Sequence, residues 1–229
     1  MKSLILTVLM QRRIAPWALR ASMILHGYLY DLCGILAVSV NRGVHPKHRI
    51  LRYKEWFLGK IDTNSVVLDV GSNTGSMPLL MAEKARYVYG IEIDPDLSTI
   101  ARKKCPRPNV EFLTGDAITY SYNKCQPINC VTLSNVLEHI EDRVSFLKRL
   151  QQVVAWDGST SRLFLIRVPA IERDWLSVYK QEVGVEYRLD RTHKVEHTRQ
   201  QLQSELSAAG LQIKSFETRF GEYYVVCHG

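Results

Sequence analysis

Beyond Asn41 the chain alternates short apolar runs with amphipathic segments, and no other feature narrows its fold as far. SVVLDV, YVYGIEI, VEFL, NCVTLS and RLFLIRV have the length of strands and are rich in β-branched, aromatic and other apolar residues. HRILRYKEWFLGKI precedes the first of them as a helix, and MPLLMAEKA, PDLSTIARKK and DRVSFLKRLQQVV fall between them with helical spacing. Strand, crossover helix and parallel strand connect right-handedly. The pattern therefore predicts an α/β fold: a doubly wound, mostly parallel sheet with helices on both faces. From Pro169 to His197 the sequence is polar and irregular, so it is read as loop. Thr198 and Gln201 then have the spacing of a capping box, Gly210 ends the helix they open, and LQIKSFET and YYVVC follow as strands.

Residues 1–44 read as a hydrophobic and basic helical extension, and residues 45–229 as one domain. MKSLILTVLMQRR has a basic start, but its apolar run is short and no A-x-A-like cleavage site follows, which argues against a signal peptide. Ala21 to Val40 is about long enough to span a bilayer, yet Asp31 sits near its middle. A central Asp costs about 2.5–3.5 kcal/mol on insertion scales, which weighs against a spanning helix. Ile24, Leu25, Tyr28, Leu29, Leu32, Ile35 and Leu36 recur at helical spacing, while Gly27, Asp31 and Gly34 mark another face. That pattern predicts an amphipathic helix, either packed on the domain or lying on a membrane surface with Arg12, Arg13, Arg20 and Arg42 near anionic headgroups.

A formal net charge of +7 suits either an anionic partner or a solvated basic surface, because the charges are scattered and not blocked. The five cysteines, Cys33, Cys105, Cys125, Cys130 and Cys227, form an odd set without a C-x-x-C pair. They favour a reducing, cytoplasmic setting over a disulfide framework.

In a doubly wound sheet, ligands bind outside the carboxyl ends of the strands where the strand order reverses. VVLDVGSNTG supplies such an end: Gly71 permits a sharp turn and Gly75 a close approach of the next helix. Its G-x-x-x-G spacing matches neither the dinucleotide fingerprint nor the phosphate loop. Asp69 just ahead of the turn suits a cationic ligand better than a pyrophosphate. In YGIEIDP, Glu92 ends the next strand, where a carboxylate accepts from a ribose diol, and Asp94 reads as a helix cap. TGDA brings Asp116 and Ala117 to the third strand end, positioned for an adenine amino group and ring nitrogen, unless Asp116 is an ordinary turn carboxylate.

With LDVGSNTG, GIEIDP, TGDA and LSNVLEHIED in that order, the chain from about Ile61 onward resembles the class I S-adenosylmethionine-dependent methyltransferases, in particular the broad group acting on small molecules. It departs from them at Asn73, where the family usually has Gly; Asn tolerates left-handed backbone, so the turn is expected to survive. The resemblance implies a Rossmann-like seven-stranded sheet with a final antiparallel strand, and S-adenosyl-L-methionine as cofactor. It further implies Asp69, Gly71, Ser72 and Gly75 around the methionine portion, Glu92 and the adjoining Ile93 at the ribose, and Asp116 and Ala117 at the adenine. Asn135 after the fourth strand completes the cofactor side.

An in-line displacement at the sulfonium methyl needs an aligned acceptor and, for a hydroxyl, a base. LSNVLEHIED projects Glu138 and His139 towards that space, with His139 the candidate base and Glu138 either a participant or a loop brace. YRLDRTHKVEHT adds a polar wall with Arg188, Asp190, His193 and His197, of which His193 is the stronger candidate for the acceptor pocket. His193 and His197 with Glu196 between them hint at metal spacing, but H-E-x-x-H is absent and no metal is expected. SNVLEH stands where base-amino methyltransferases carry an N-P-P-Y-like segment, and the region has no Pro-Cys pair of the cytosine C5 enzymes. The expected acceptor is therefore an oxygen of a small molecule or a lipid-linked or glycan substrate. RNA methylation and non-catalytic cofactor binding are the alternatives.

Overall fold

The computed structural model describes residues 14–104, 107–158 and 162–229, so the MKSLILTVLMQRR segment with Arg12 and Arg13, and Cys105, lie outside the described residues. The chain forms two compact units: one made of the chain up to Ile50 with Asp174–Leu189, the other of Leu51–Arg173 with Asp190–Gly229.

The larger unit is built on a seven-stranded sheet. Its strands are β1 (Val66–Val70), β2 (Tyr87–Glu92), β3 (Val110–Thr114), β4 (Cys130–Ser134), β5 (Leu163–Pro169), β6 (Gln212–Arg219) and β7 (Glu222–His228). Their spatial order is β3-β2-β1-β4-β5-β7-β6. The first five are parallel, and β7 runs antiparallel to both β5 and β6. Every strand expected from the sequence is present, including the antiparallel one.

β1 is buried on both faces because the sheet is covered on both. Leu68 joins a core with Phe146, Leu150, Leu202 and Leu206, whereas its neighbour Val67 packs with Trp56, Phe57, Met77 and Met81. The covering helices of this unit are α3 (Tyr53–Leu58), α4 (Ser76–Met81), α5 (Pro95–Lys104), α6 (Arg143–Val153) and α8 (Arg199–Ala208). Thr198 caps α8 by accepting from the Gln201 amide at 3.1 Å, as expected, but the Gln201 side chain turns to Glu205, so the box is not reciprocal.

The single helix expected over HRILRYKEWFLGKI is two: α2 (Lys47–Leu51) and α3, parted at Arg52, whose left-handed φ of 51° cannot continue a helix. The expected loop from Pro169 to His197 also holds a helix, α7 (Trp175–Glu182), in the smaller unit. Asp174 caps it by accepting from the Ser177 amide at 2.7 Å, a local signal present in the sequence but easily lost in a polar stretch.

α1 (Ala15–Val40) is the long helix of the smaller unit. Its small-residue face is turned inward: a Cβ on Gly27 would lie 3.9 Å from Lys180 Nζ, and one on Gly34 would lie 3.5 Å from His45 Nε2. Arg20 donates to the carbonyls of Val183 and Gly184 just past α7. The apolar stripe points outward, with Trp17 77%, Tyr28 63% and Ile35 67% exposed. α1 is long and apolar enough to cross a membrane by length and composition.

Gly90, inside β2, marks the tightest approach of the sheet to the turn after β1: an added Cβ would sit 2.9 Å from both Ser72 Cβ and Pro78 Cγ. Gly90→Ala should therefore lower stability by about 1–3 kcal/mol through overpacking. Urea unfolding read by circular dichroism checks this, and an unchanged midpoint would refute the close approach.

Candidate active site

The connections leaving β1 and β4 depart on opposite sides, so a crevice opens at the carboxyl ends of these two neighbouring strands. Gly71 and Gly75 adopt φ of 70° and 86°, left-handed values that only glycine takes without strain. Asn73 between them is left-handed too, at 50°, so the turn survives the departure from glycine as expected. Gly75 is also a close-approach position, since a Cβ there would meet Phe112 Cζ at 2.7 Å.

Glu92 ties two loops of the crevice together. Its Oε2 accepts from the Asn73 amide at 2.8 Å and its Oε1 from the Asp94 amide at 3.1 Å. Asp94 in turn accepts from the amides of Asp96 and Leu97, which is the capping role expected of it. At the end of β3, Asp116 Oδ1 accepts from the Ile118 amide at 3.0 Å, and the buried Ala117 carbonyl accepts from Tyr122. Ile93 is 69% exposed at the mouth of the crevice.

Asp69 is buried at the end of β1 and accepts a hydrogen bond from Thr132 Oγ1 on β4. Burial pushes its carboxyl up to about 7, and nearby Glu92 adds to the rise, against the pull of the Thr132 bond. Ser72 Oγ and Asn135 Oδ1 are buried without a hydrogen-bond partner, each on a loop at a carboxyl end of a central strand. Asn135 is left-handed as well, at φ 58°, which turns the chain sharply out of β4. A glycine-lined turn, two orphaned polar atoms and carboxylates on three successive strand ends fit a polar cationic nucleoside such as S-adenosylmethionine.

Past Asn135 comes a single 3₁₀ turn, Leu137–His139. Glu138 is fully buried, and neither carboxylate oxygen has a hydrogen-bond partner. Burial raises its carboxyl to about 7, opposed first by its own backbone amide and then by His193 and Arg167. The Glu138 carbonyl accepts from the Lys194 amide at 2.7 Å, which pins the distant 190–195 segment here and packs the His193 ring edge-on to His139 at 4.9 Å. His139 is exposed, and its imidazole is held below its usual range by partial burial and then by His193.

The structure thus joins His139 and His193, which the sequence could only suggest separately. It does not bring His197 to them. His197 is buried at the start of α8 and lies 3.2 Å from Glu205, with its backbone bridged to Ala170. Arg188 falls in the smaller unit and pairs with Glu186. Sequence reasoning also missed Arg167 and Glu222, a buried bidentate ion pair at 2.6 and 2.9 Å that clamps β5 to β7. Arg167 additionally donates to Ser134 at 3.1 Å, bracing the end of β4 just before the site. No local pattern marks such a pair, whose partners are far apart in sequence. Gly90 could have been found: an isolated glycine in a strand signals a close approach.

A family model described as a methyltransferase domain matches residues 44–215. The chain belongs to this methyltransferase family. The chain is 28% identical over 105 residues to an uncharacterized protein of Methanocaldococcus jannaschii, covering 44% of this chain and 40% of the relative. It is 32% identical over 98 residues to an uncharacterized RNA methyltransferase of Bacillus cereus, covering 39% of this chain and 21% of that protein. The matched segments thus span less than half the length of these relatives. Among solved structures, magnesium protoporphyrin IX methyltransferase from Synechocystis, with S-adenosylhomocysteine bound, superposes with a TM-score of 0.57 at 18% identity, over 80% of this chain and 82% of that one. The fold is that of the class I S-adenosylmethionine-dependent methyltransferases, and S-adenosylmethionine is the cofactor the family uses.

Asp69 gives the site a pH signature. With its folded value near 7 and its unfolded value near 3.8, the folded ligand-free protein holds a proton that the unfolded chain has lost between these limits. Stability should therefore fall as pH rises from about 4 to about 7 and level off above. Asp69→Asn keeps the acceptor for Thr132 and should gain on the wild type across that window. Parallel pH profiles of the two proteins would refute the assignment.

Proposed function

We propose that this methyltransferase moves a methyl group from S-adenosylmethionine to an oxygen of a small-molecule, lipid-linked or glycan acceptor met at a membrane surface. The Glu138–His139–His193 group beside the crevice carries this reading, because a hydroxyl must lose its proton as it attacks and no N-P-P-Y-like segment takes its place. When bound, S-adenosylmethionine supplies the electrophilic methyl. The chain's residues do the rest. Asp69, Gly71, Ser72, Gly75 and Asn135 receive the methionine end, Glu92 and Ile93 the ribose, Asp116 and Ala117 the adenine. Glu92 already accepts two backbone amides, and its remaining lone pairs are those offered to the ribose hydroxyls. The proton displaced from an acceptor hydroxyl would pass to this cluster, where His139 is the exposed member and His193 shapes the pocket.

The membrane part of the reading is supported by α1. An outward stripe of Trp17, Leu25, Tyr28, Leu29, Ile35 and Leu36 is larger than soluble surfaces ordinarily expose. The packed face already holds Met23 beside Gly27 and Gly34, so lipid is the partner that would cover the stripe, with Arg42 near the headgroups. Cys33, Cys125, Cys130 and Cys227 are free thiols, in keeping with a cytoplasmic, membrane-bound setting. An RNA acceptor is the second reading, favoured by the Bacillus cereus relative's name and the net charge of +7.

Glu92→Ala should weaken S-adenosylmethionine binding by about 1.5–3 kcal/mol in calorimetry, and unchanged affinity would end the ribose assignment. His139→Ala should cut turnover by about 10²–10⁴-fold with cofactor affinity nearly intact; equal losses of both would make the residue a brace of the cofactor loop. The full chain should sediment with anionic vesicles less strongly as salt rises. Binding to RNA in place of vesicles would favour the second reading.

A further inference from the structure

We infer that Glu138, His139 and His193 form a binding site for one divalent transition-metal cation. One ligand atom from each of the three side chains lies within 4.8 Å of the others, a spacing that a single ion can bridge. The Glu138 carboxylate is the decisive group. It is fully buried and neither oxygen meets a donor from another residue, its own backbone amide being the one nearby donor, although a buried carboxylate is costly unless it is paired or binds a metal. Nearby Arg167 does not serve it, being spent on Glu222 and Ser134.

Each histidine has one ring nitrogen beside a hydrogen-bonding oxygen. Thr192 Oγ1 donates its one proton to Asp190 at 2.8 Å, so towards His139 Nδ1, at 3.2 Å, it can only accept. That contact fixes the proton of His139 on Nδ1 and leaves the Nε2 lone pair for a ligand bond. His193 Nδ1 lies 3.4 Å from Glu196 Oε1, a carboxylate that selects the same tautomer. An imidazole whose rear nitrogen donates to a carboxylate or hydroxyl while its Nε2 faces forward is the usual outer-shell arrangement around bound metals. One carboxylate with two imidazoles suits a first-row divalent ion such as Zn²⁺ or Mn²⁺ and leaves coordination positions open. Glu138 and His193 are buried whereas His139 is exposed, so the open positions lie on the outward side. What the ion does there rests on the proposed methyl transfer: it would take the acceptor oxygen and make its proton easier to lose, and with the ion bound that proton would pass to solvent and not to His139, whose lone pair the ion takes. The binding itself rests on these residues alone.

The test uses the full chain stripped with a chelator. Mn²⁺ is titrated by electron paramagnetic resonance, and Zn²⁺ by calorimetry against a competing chelator. One cation per chain is expected, bound about 100-fold or more weakly by His139→Ala and Glu138→Gln and about 10-fold more weakly by Thr192→Val, each shown by circular dichroism to be folded. His139 and Thr192 are exposed, so their variants keep the test open should Glu138→Gln fail to fold. Absence of binding by the wild type, or equal binding by wild type and folded variants, overturns the site. S-adenosylhomocysteine binding measured on the same samples separates the two readings. Cofactor binding without the cation overturns only the metal site, and cation binding without the cofactor supports the site while overturning the methyltransferase reading.

Discussion

β1 lies between β2 and β4, and the chain leaves its two neighbours in opposite directions along the sheet. That reversal cannot be closed over by backbone, so the carboxyl ends of β1 and β4 border an open crevice in an otherwise covered sheet. Everything chemical in the larger unit collects there. The glycine turn follows β1, Glu92 ends β2, Asp116 follows β3 and the Glu138–His139 turn follows β4. Two contacts hold the crevice in shape. Glu92 binds the amides of Asn73 and Asp94, joining the first two loops. Arg167 spans Glu222 and Ser134, fixing the other flank through an ion pair shielded from water by Tyr53, whose ring lies 4.1 Å from the guanidinium.

Buried polar groups carry the energetic asymmetry of this unit. Arg167 and Glu222 satisfy one another with bidentate geometry, and the Tyr224 hydroxyl donates to the same carboxylate at 2.9 Å. Removing either charge would leave the other stranded, a far larger effect than an exposed ion pair ever shows. Asp69, Ser72, Asn135 and Glu138 are the reverse case: groups kept away from water with partners missing or few. A fold tolerates such sites where a ligand completes them. These four lie at the crevice, whereas the orphaned His197 Nδ1 and Ser215 Oγ lie elsewhere.

The smaller unit follows a different logic. α1 spends its glycines on packing and turns its large apolar side chains outward, the opposite of a helix serving a water-facing domain. Only the partners chosen by Gly27, Gly34 and Arg20 reveal this orientation.

The succession of strands and helices, the glycine turn, the acids at successive strand ends and the cap at Thr198 were legible in the sequence because each depends on neighbours a few residues away, where periodicity and turn chemistry act. Asn73 shows the reach of such reasoning: its left-handed backbone was expected from the glycine the resembled family has there and from asparagine's tolerance of that conformation. The outward stripe of α1, the break at Arg52, the Arg167–Glu222 clamp and the meeting of His193 with His139 were not. In each, the deciding partner lies across the fold, or a local preference yields to tertiary packing. The spacing of His193 and His197 pointed to each other, yet one turns to Glu196 and the other to Glu205, because the backbone bond from Lys194 to Glu138 draws the first towards β4. Local chemistry determined what kind of site this chain could build, and long-range burial decided which side chains share it.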